Sequence, residues 1–375
     1  MTKSSIIKTA FKALKITEVT IAAILLLMFL LPIIFPNTIS KKIKEWTNSS
    51  INGELNFSKA RLSFFNHFPS LTLTLHDFTL KGSAPFEKDT LIATKELALG
   101  IDLKSVFSDK IGIDEIYLTQ GDVYIKVDSL GRANYNVYKS DTAHVAKNSN
   151  DTGSASLKIE RIQFDHTNLI YDDRSIPILV TAKNLNYVGK GDLTQSIFDL
   201  ASKIQIDSFD LTYNHSHYIG SKKLKATLIT KVNTNSLAFI FEKNDLVLNK
   251  LPLQFNGKFE FLKDGYNMDF KVNTIDADLY DVLGALPSAY MPWFDKMDAK
   301  GKTDISMVLQ GKYEVIGKVK PDLSLGIKIR DGYLDYEKAP DALKHLYLDF
   351  TTRMPQLNAD SLKVDEDSLY FTIIG

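Results

Sequence analysis

His215 and His217 are separated by one residue, so on a β-strand both imidazoles would project from one face, a geometry that can hold a divalent metal. Asp207 and Asp210 are the only carboxylates close to them in sequence. Two imidazoles alone fall short of a ligand set, and exposed turn histidines account for them more simply. Asp276, Asp278 and Asp281 are spaced like oxygen ligands for calcium, but no EF-hand-type loop of Asp, Gly and Glu follows. Carboxylates at a helix amino terminus, facing the positive end of the dipole, explain them better. Asp172 and Asp173 precede Arg174 at a turn, whereas glycoside hydrolysis needs a carboxylate pair across a cleft. Gly189-Lys190-Gly191-Asp192 lacks the flanking glycine and the Ser/Thr of a phosphate-binding loop, and no serine sits in a Gly-x-Ser-x-Gly elbow. The sequence therefore predicts a protein with no catalytic residue, no metal and no cofactor.

Composition narrows the class further. Lys+Arg 45 against Asp+Glu 45 gives a net charge of zero, and no basic block with interleaved aromatics occurs, so nucleic acid is not an expected partner. There is no cysteine, which removes disulfides and thiolate metal sites. Hydrophobic content of 44% with 11% aromatics is that of a folded chain. Stability must come from backbone pairing and apolar burial.

From Glu54 onward the hydrophobic period is two. Leu71, Leu73 and Leu75 alternate with threonines; Leu97, Leu99, Ile101 and Leu103 with Ala98, Gly100 and Asp102. Val123, Ile125 and Val127 follow the same rule, as do Leu323, Leu325, Ile327 and Ile329. Leu251, Leu253, Phe255, Phe259 and Phe261 share a parity broken only by Gly257. These segments predict half-buried antiparallel strands, each with one apolar and one polar face. Helical signal is confined to Leu103–Phe107, to Asp276–Leu286 before Pro287, and to Asp341–Leu346 after Pro340. Without a βαβ alternation, a doubly wound nucleotide fold is excluded. Residues 140–156, rich in Ser, Asn, Asp, Thr and Ala, read as a flexible insertion.

The sequence also echoes itself. Ile113-Asp114-Glu115-Ile116-Tyr117-Leu118, then Gly121-Asp122-Val123, returns as Ile159-Glu160-Arg161-Ile162-Gln163-Phe164, then Thr167-Asn168-Leu169. Ile204 to Leu211 is a looser third copy. Each copy reads as a strand, a tight turn and a return strand, and repeated two-strand units predict an elongated array. Because Ser368 to Gly375 ends inside a strand pattern, the array is expected to continue beyond this carboxy terminus.

Ahead of the strands lies an uncharged apolar run, Val19 to Phe35, preceded by Lys3, Lys8, Lys12 and Lys15. Roughly 17 residues of helix make about 26 Å, slightly under a bilayer's hydrocarbon core, and the flanking residues supply the shortfall. The lysines keep the amino terminus in the cytoplasm. The run is longer than a signal-peptide core and no small-x-small cleavage site follows, so an uncleaved anchor is the expected form. The chain thus divides into a cytoplasmic tail, 1–18, a single transmembrane anchor, 19–40, and an extracytoplasmic remainder, 41–375. Lys41-Lys42-Ile43-Lys44-Glu45-Trp46 reads as a short interfacial helix.

One apolar face per strand must be covered. Two sheets can pack about 10 Å apart, or one sheet can curl around another apolar object such as an acyl chain. Periodicity alone does not separate these. In either case Leu71, Leu73, Leu75, Val123, Ile125, Val127, Phe255, Phe259, Phe261, Met268, Phe270, Leu323, Leu325 and Ile327 are expected to share one continuous surface.

Three phrases stand out: Asn66-His67-Phe68-Pro69-Ser70-Leu71, Leu75-His76-Asp77-Phe78-Thr79-Leu80, and Val123 to Tyr135 with its Asp128-Ser129-Leu130-Gly131-Arg132-Ala133-Asn134-Tyr135 close. They resemble the AsmA family of inner-membrane-anchored envelope proteins. Asp276 to Pro287 and Asp331-Gly332-Tyr333-Leu334-Asp335-Tyr336 are similar to further phrases of that family. The resemblance implies a U-shaped apolar β-groove akin to bridge-like lipid transfer proteins, with the bulk of the chain in the periplasm. It also implies phospholipid, lodged along the fourteen residues above, as the partner, and support of outer-membrane biogenesis as the role. A non-lipid scaffold that holds other envelope proteins is the alternative. The chain is shorter than such bridges usually are.

Overall fold

The computed structural model describes residues 15, 17–20, 53–63, 71–102, 112–137, 156–262, 265–286, 291–314, 317–358 and 363–374. Most of the expected anchor, the interfacial segment at 41–46, the Asn66–Ser70 phrase, the Leu103–Phe107 helix and the insertion up to residue 155 lie outside these. Among the described residues no helix is long and apolar enough to cross a membrane.

The strands are β1 (Leu55–Asn56), β2 (Lys59–Ser63), β3 (Leu71–Lys81), β4 (Thr90–Ile101), β5 (Gly112–Val127), β6 (Ser156–Asp173), β7 (Ile178–Lys190) and β8 (Ile197–Tyr213). They continue as β9 (Ser216–Asn233), β10 (Ala238–Leu248), β11 (Leu251–Leu262), β12 (Gly265–Asp278), β13 (Met297–Glu314), β14 (Asp322–Tyr336), β15 (Ala342–Met354) and β16 (Lys363–Ile374). All belong to one 16-stranded sheet in which each strand from β3 to β16 pairs with its sequence neighbours, and β1 and β2 share the outer edge of β3. Two short helices, α1 (Leu279–Gly284) and α2 (Met291–Phe294), interrupt the sheet between β12 and β13. The third expected helix is corrected: Asp341–Leu346 opens β15, where Leu343 pairs with Leu334 and Leu346 with Gly332.

The sheet is mixed rather than wholly antiparallel, because β5 and β6 run parallel. A parallel pair needs a crossover of a dozen or more residues, and the chain between Val127 and Ser156 supplies it. Its first part is tightly folded. Asp128 accepts hydrogen bonds from the backbone N–H groups of Leu130 and Arg132, and Asn134 is completely buried. The Asn134 amide accepts from Lys126 N–H at 2.9 Å and donates to the Tyr124 carbonyl at 2.7 Å, standing in for a missing strand on the edge of β5. Asn134→Ala is expected to lower stability by about 1–3 kcal/mol, the cost of two stranded backbone groups, measurable as a shifted denaturant midpoint.

The parallel seam also explains the sequence echo. Its register pairs Glu115 with Arg161, Ile116 with Ile162, Tyr117 with Gln163, Leu118 with Phe164, Asp122 with Asn168 and Val123 with Leu169. From Glu115 onward that is the alignment of the first two copies; ahead of it the register shifts, and Ile113 pairs with Leu157. The copies are not hairpins, however. Each is one continuous strand, and the predicted turn is a bulge in its middle. At Gln120 (φ 53°) and His166 (φ 50°) one extra residue enters the strand in the left-handed region. Core-facing parity accordingly slips from Ile116 and Leu118 to Val123, and from Phe164 to Leu169.

The same slip recurs at Asp77, Asn184 and Ser221, and again at Asp276, Asp331 and His345. Short polar residues tolerate this conformation best. Polar neighbours satisfy the backbone groups that the bulges free. Asn186 accepts from His166 N–H, Asn168 from Asn184 N–H, Asp210 from Ser221 N–H and Asp304 from Asp276 N–H. Bulges bend a strand and increase its twist, so these rows crease the sheet across successive strands. β11 keeps one parity throughout, and Gly257 interrupts its apolar run because a Cβ there would lie 2.1 Å from the Asp269 carbonyl oxygen.

Candidate functional site

The registers link the apolar residues of successive strands into unbroken lines. Leu75 faces Leu97, which faces Leu118, then Phe164, Tyr187, Ile204, Ala226, Leu246 and Leu253. Phe239 faces Phe259, which faces Met268; Phe255 faces Val272, then Met307 and Leu325; Phe270 faces Leu309 and then Leu323. Leu71 and Leu73 join the face through Ile101 and Leu99, Ile125 and Val127 through Tyr171 and Asp173, Phe261 through Tyr266, and Ile327 through Ile305. All fourteen residues singled out in the sequence therefore share one face of one sheet.

Their surroundings differ along it. Leu71, Leu73, Leu75, Val123 and Val127 are buried, and the first three form a core with Phe78, Leu80, Leu91 and Ile101, against which Leu55, Phe57, Leu62 and Val137 pack. A smaller core follows around Ala182, Leu185 and Ile206. From β10 to β14 the face changes character. Phe255, Phe259, Met268, Phe270, Leu323, Leu325 and Ile327 are only half-buried, and Phe261 is 39% exposed. Here the aromatic rings pack laterally on one another: Phe241 on Phe255 at 5.1 Å, Phe255 on Phe270 at 5.5 Å and Phe259 on Tyr266 at 5.3 Å.

Strands well separated in the ladder approach each other at one end of the sheet. β8 and β13 are five ladder steps apart, roughly 24 Å in a flat sheet. Yet the Tyr213 and Tyr313 hydroxyls lie close enough for each to alter the other's ionisation, and Tyr266 of β12 lies close to Asp173, the last residue of β6, and to Ser175 just after it. The sheet must bend between them. Burial, reinforced by the Asp173 carboxylate, pushes the Tyr266 hydroxyl up to about 12.

One group on the apolar face has no counterpart in the sequence-based expectation. Lys222 pairs across the ladder with Phe209, is 3% exposed, and donates from Nζ to the Gly284 carbonyl at 2.8 Å. Asn249 Nδ2 donates to the same oxygen at 3.2 Å. Together they tie the carboxy-terminal end of α1 to the wall formed by β9 and the β10–β11 turn. Burial holds the Lys222 ammonium below the usual lysine range, against the pull of Asp295. Its signal in the sequence is a lysine at the parity of Leu224 and Ala226.

The residues considered for chemistry are dispersed. His215 occupies the two-residue β8–β9 turn with Asn214, both at positive φ, as a type I′ hairpin requires. His217 Nε2 lies 3.5 Å from Asp210 Oδ1. Asp276 and Asp278 lie at the end of β12, and Asp278 is also the N-cap residue of α1, though its side chain makes no capping hydrogen bond: Asp276 lies 3.3 Å from Arg330 and Asp278 lies 2.8 Å from Lys302. Asp304 joins this group through Arg330, whose hydrogen bond holds its carboxyl below the usual carboxylate range. Asp172 pairs with Arg174 at 3.4 Å, and Asp207 accepts from the Asn184 amide. Asp281 lies in the first turn of α1, and Gly189 and Lys190 end β7. Among the described residues no three His, Asp or Glu side chains converge as a metal site.

No curated protein matches the chain. The family model of the AsmA family does, over residues 11–257, a span that takes in the amino-terminal region and the sheet as far as β11. With well over half of its length matched, the protein belongs to the AsmA family.

Proposed function

We propose that this protein is a membrane-anchored periplasmic component of outer-membrane biogenesis that carries phospholipid along an apolar groove, without catalysis. Membership of the AsmA family is consistent with a role in the envelope. The observation that carries the lipid reading is the half-exposed apolar face of β10 to β14. In a closed sandwich those side chains would be sealed by a second sheet, yet the described strands form only one. The bulge rows and the approach of Tyr213 to Tyr313 support a sheet curled into a U. An acyl chain matches the face chemically. The ladder already uses the backbone polar groups, so an extended peptide would find few partners there, whereas an acyl chain needs none. Each methylene buried contributes about 0.8 kcal/mol.

A photoreactive amino acid in place of Phe259, in the full-length chain in cells, is expected to yield a phospholipid adduct identifiable by mass. Adducts to protein alone would favour the scaffold reading. The anchor reading has its own test. A reporter active only outside the cytoplasm, fused after Gly375, is expected to be active, and neutralising Lys3, Lys8, Lys12 and Lys15 should weaken that topology. Reporter activity confined to the cytoplasm would overturn it.

A further inference from the structure

An open pocket of about 440 Å³ lies at the margin of the half-exposed face, lined by Tyr313, Glu314, Lys318, Val319, Lys320, Gln356, Leu357 and Asn358. Tyr313 belongs to both: it lines the pocket, and its ring lies 6.5 Å from that of Tyr266 on the apolar face. Leu323, three residues beyond the lining residue Lys320, pairs with Leu309 on the apolar face. The pocket's backbone is held in place. Gln356 (φ 54°) accepts from Lys320 N–H at 3.0 Å through its side chain, and its own N–H donates to Asp322 at 2.9 Å.

The charges around this pocket are distinctive. Asp322 is neutralised by Arg353 at 3.0 Å. Lys318 and Lys320 are exposed, with no acidic partner within ion-pairing distance among the described residues, and Glu314 is the one carboxylate in the lining. Two ammonium groups and one carboxylate beside an apolar surface match a molecule that carries a phosphate, an amine and hydrocarbon tails. The compact lysine ammonium is a common phosphate binder.

We propose that this pocket holds the headgroup of an amine-bearing phospholipid, its phosphate against Lys318 and Lys320 and its amine against Glu314, with the acyl chains on the Leu323–Phe270 side of the face. This rests on the groove reading above and adds to it a place and a headgroup class. Selection at the headgroup would fix the orientation of a lipid that the apolar face alone leaves free to slide.

The test uses the full-length chain in cells, with photoreactive residues at Phe259 and, separately, at Leu323. In the parent chain both positions are expected to capture phospholipid, with phosphatidylethanolamine enriched over phosphatidylglycerol at Leu323. The double substitution Lys318→Ala, Lys320→Ala should cut capture at Leu323 about tenfold, equivalent to about 1.4 kcal/mol, while capture at Phe259 persists. Glu314→Gln should keep capture at Leu323 but erase the enrichment. Unchanged capture and headgroup ratio in both variants, with lipid still captured at Phe259, would overturn the headgroup site and leave the groove standing. Absence of lipid at both positions in the parent chain would overturn both. Protein abundance serves as the folding control, since both lysines are exposed.

Discussion

Leu75→Asp is expected to leave no folded protein. Leu75 is 2% exposed, within the core against which Leu55, Phe57 and Leu62 pack. Removing a buried leucine costs about 2–5 kcal/mol, and an unpaired carboxylate in its place adds several more. Against a domain stability of about 5–15 kcal/mol, that sum is comparable to everything that holds the fold. Pulse-chase abundance should show rapid degradation of the variant. A stable variant at parental levels would mean that water already reaches this part of the face, and that the groove runs open from its amino-terminal end.

Phe259→Asp should behave in the opposite way. Phe259 faces Met268, stacks on Tyr266 and Phe270, and is only half-buried. A carboxylate there can reach water, so the expected loss is the ordinary one of about 1–3 kcal/mol and the protein stays folded. The same charge would sit in the path of an acyl chain. Lipid capture at a photoreactive Leu325, three strands further along the sheet in β14, should therefore collapse while abundance holds. Leu325→Glu is expected to act likewise, read from Phe259. Unfolding of both variants would show that β10 to β14 enclose a sealed core.

The pairing of these outcomes shows which features were legible in the sequence. The alternation of Leu71, Leu73 and Leu75, or of Leu323, Leu325 and Ile327, reports side-chain direction alone, and the strands and their shared face follow from it. Whether a face is sealed depends on what lies over it, and nothing local distinguishes Leu75 from Leu325. The bulges were misread for a related reason. Thr119-Gln120-Gly121 has turn composition, and a left-handed residue serves a hairpin turn and a mid-strand bulge equally well. The slip in apolar parity from Leu118 to Val123 is the mark of the bulge, because a strand that continues must return its next apolar residue to the same face. The parallel β5–β6 seam depends on a crossover whose return direction no periodicity records. Asp341–Leu346 carried a helix-start signal after Pro340, and pairing with β14 overrode it. The candidate site was legible as a set of apolar residues. The approach of Tyr213 to Tyr313, the Lys222 tie and the lysine pocket were not, because each is assembled from segments apart in sequence.

The claim that this face carries phospholipid is tested most directly by what remains bound when the protein is taken off the membrane. With a protease site inserted after Lys44, the strand region can be released from the full-length chain without detergent and its lipids quantified by mass spectrometry. The account predicts phospholipid bound in stoichiometric amounts to the parent protein and largely absent from an equally folded Phe259→Asp variant. Folded, lipid-free parent protein in repeated preparations, or equal lipid in both, would contradict it.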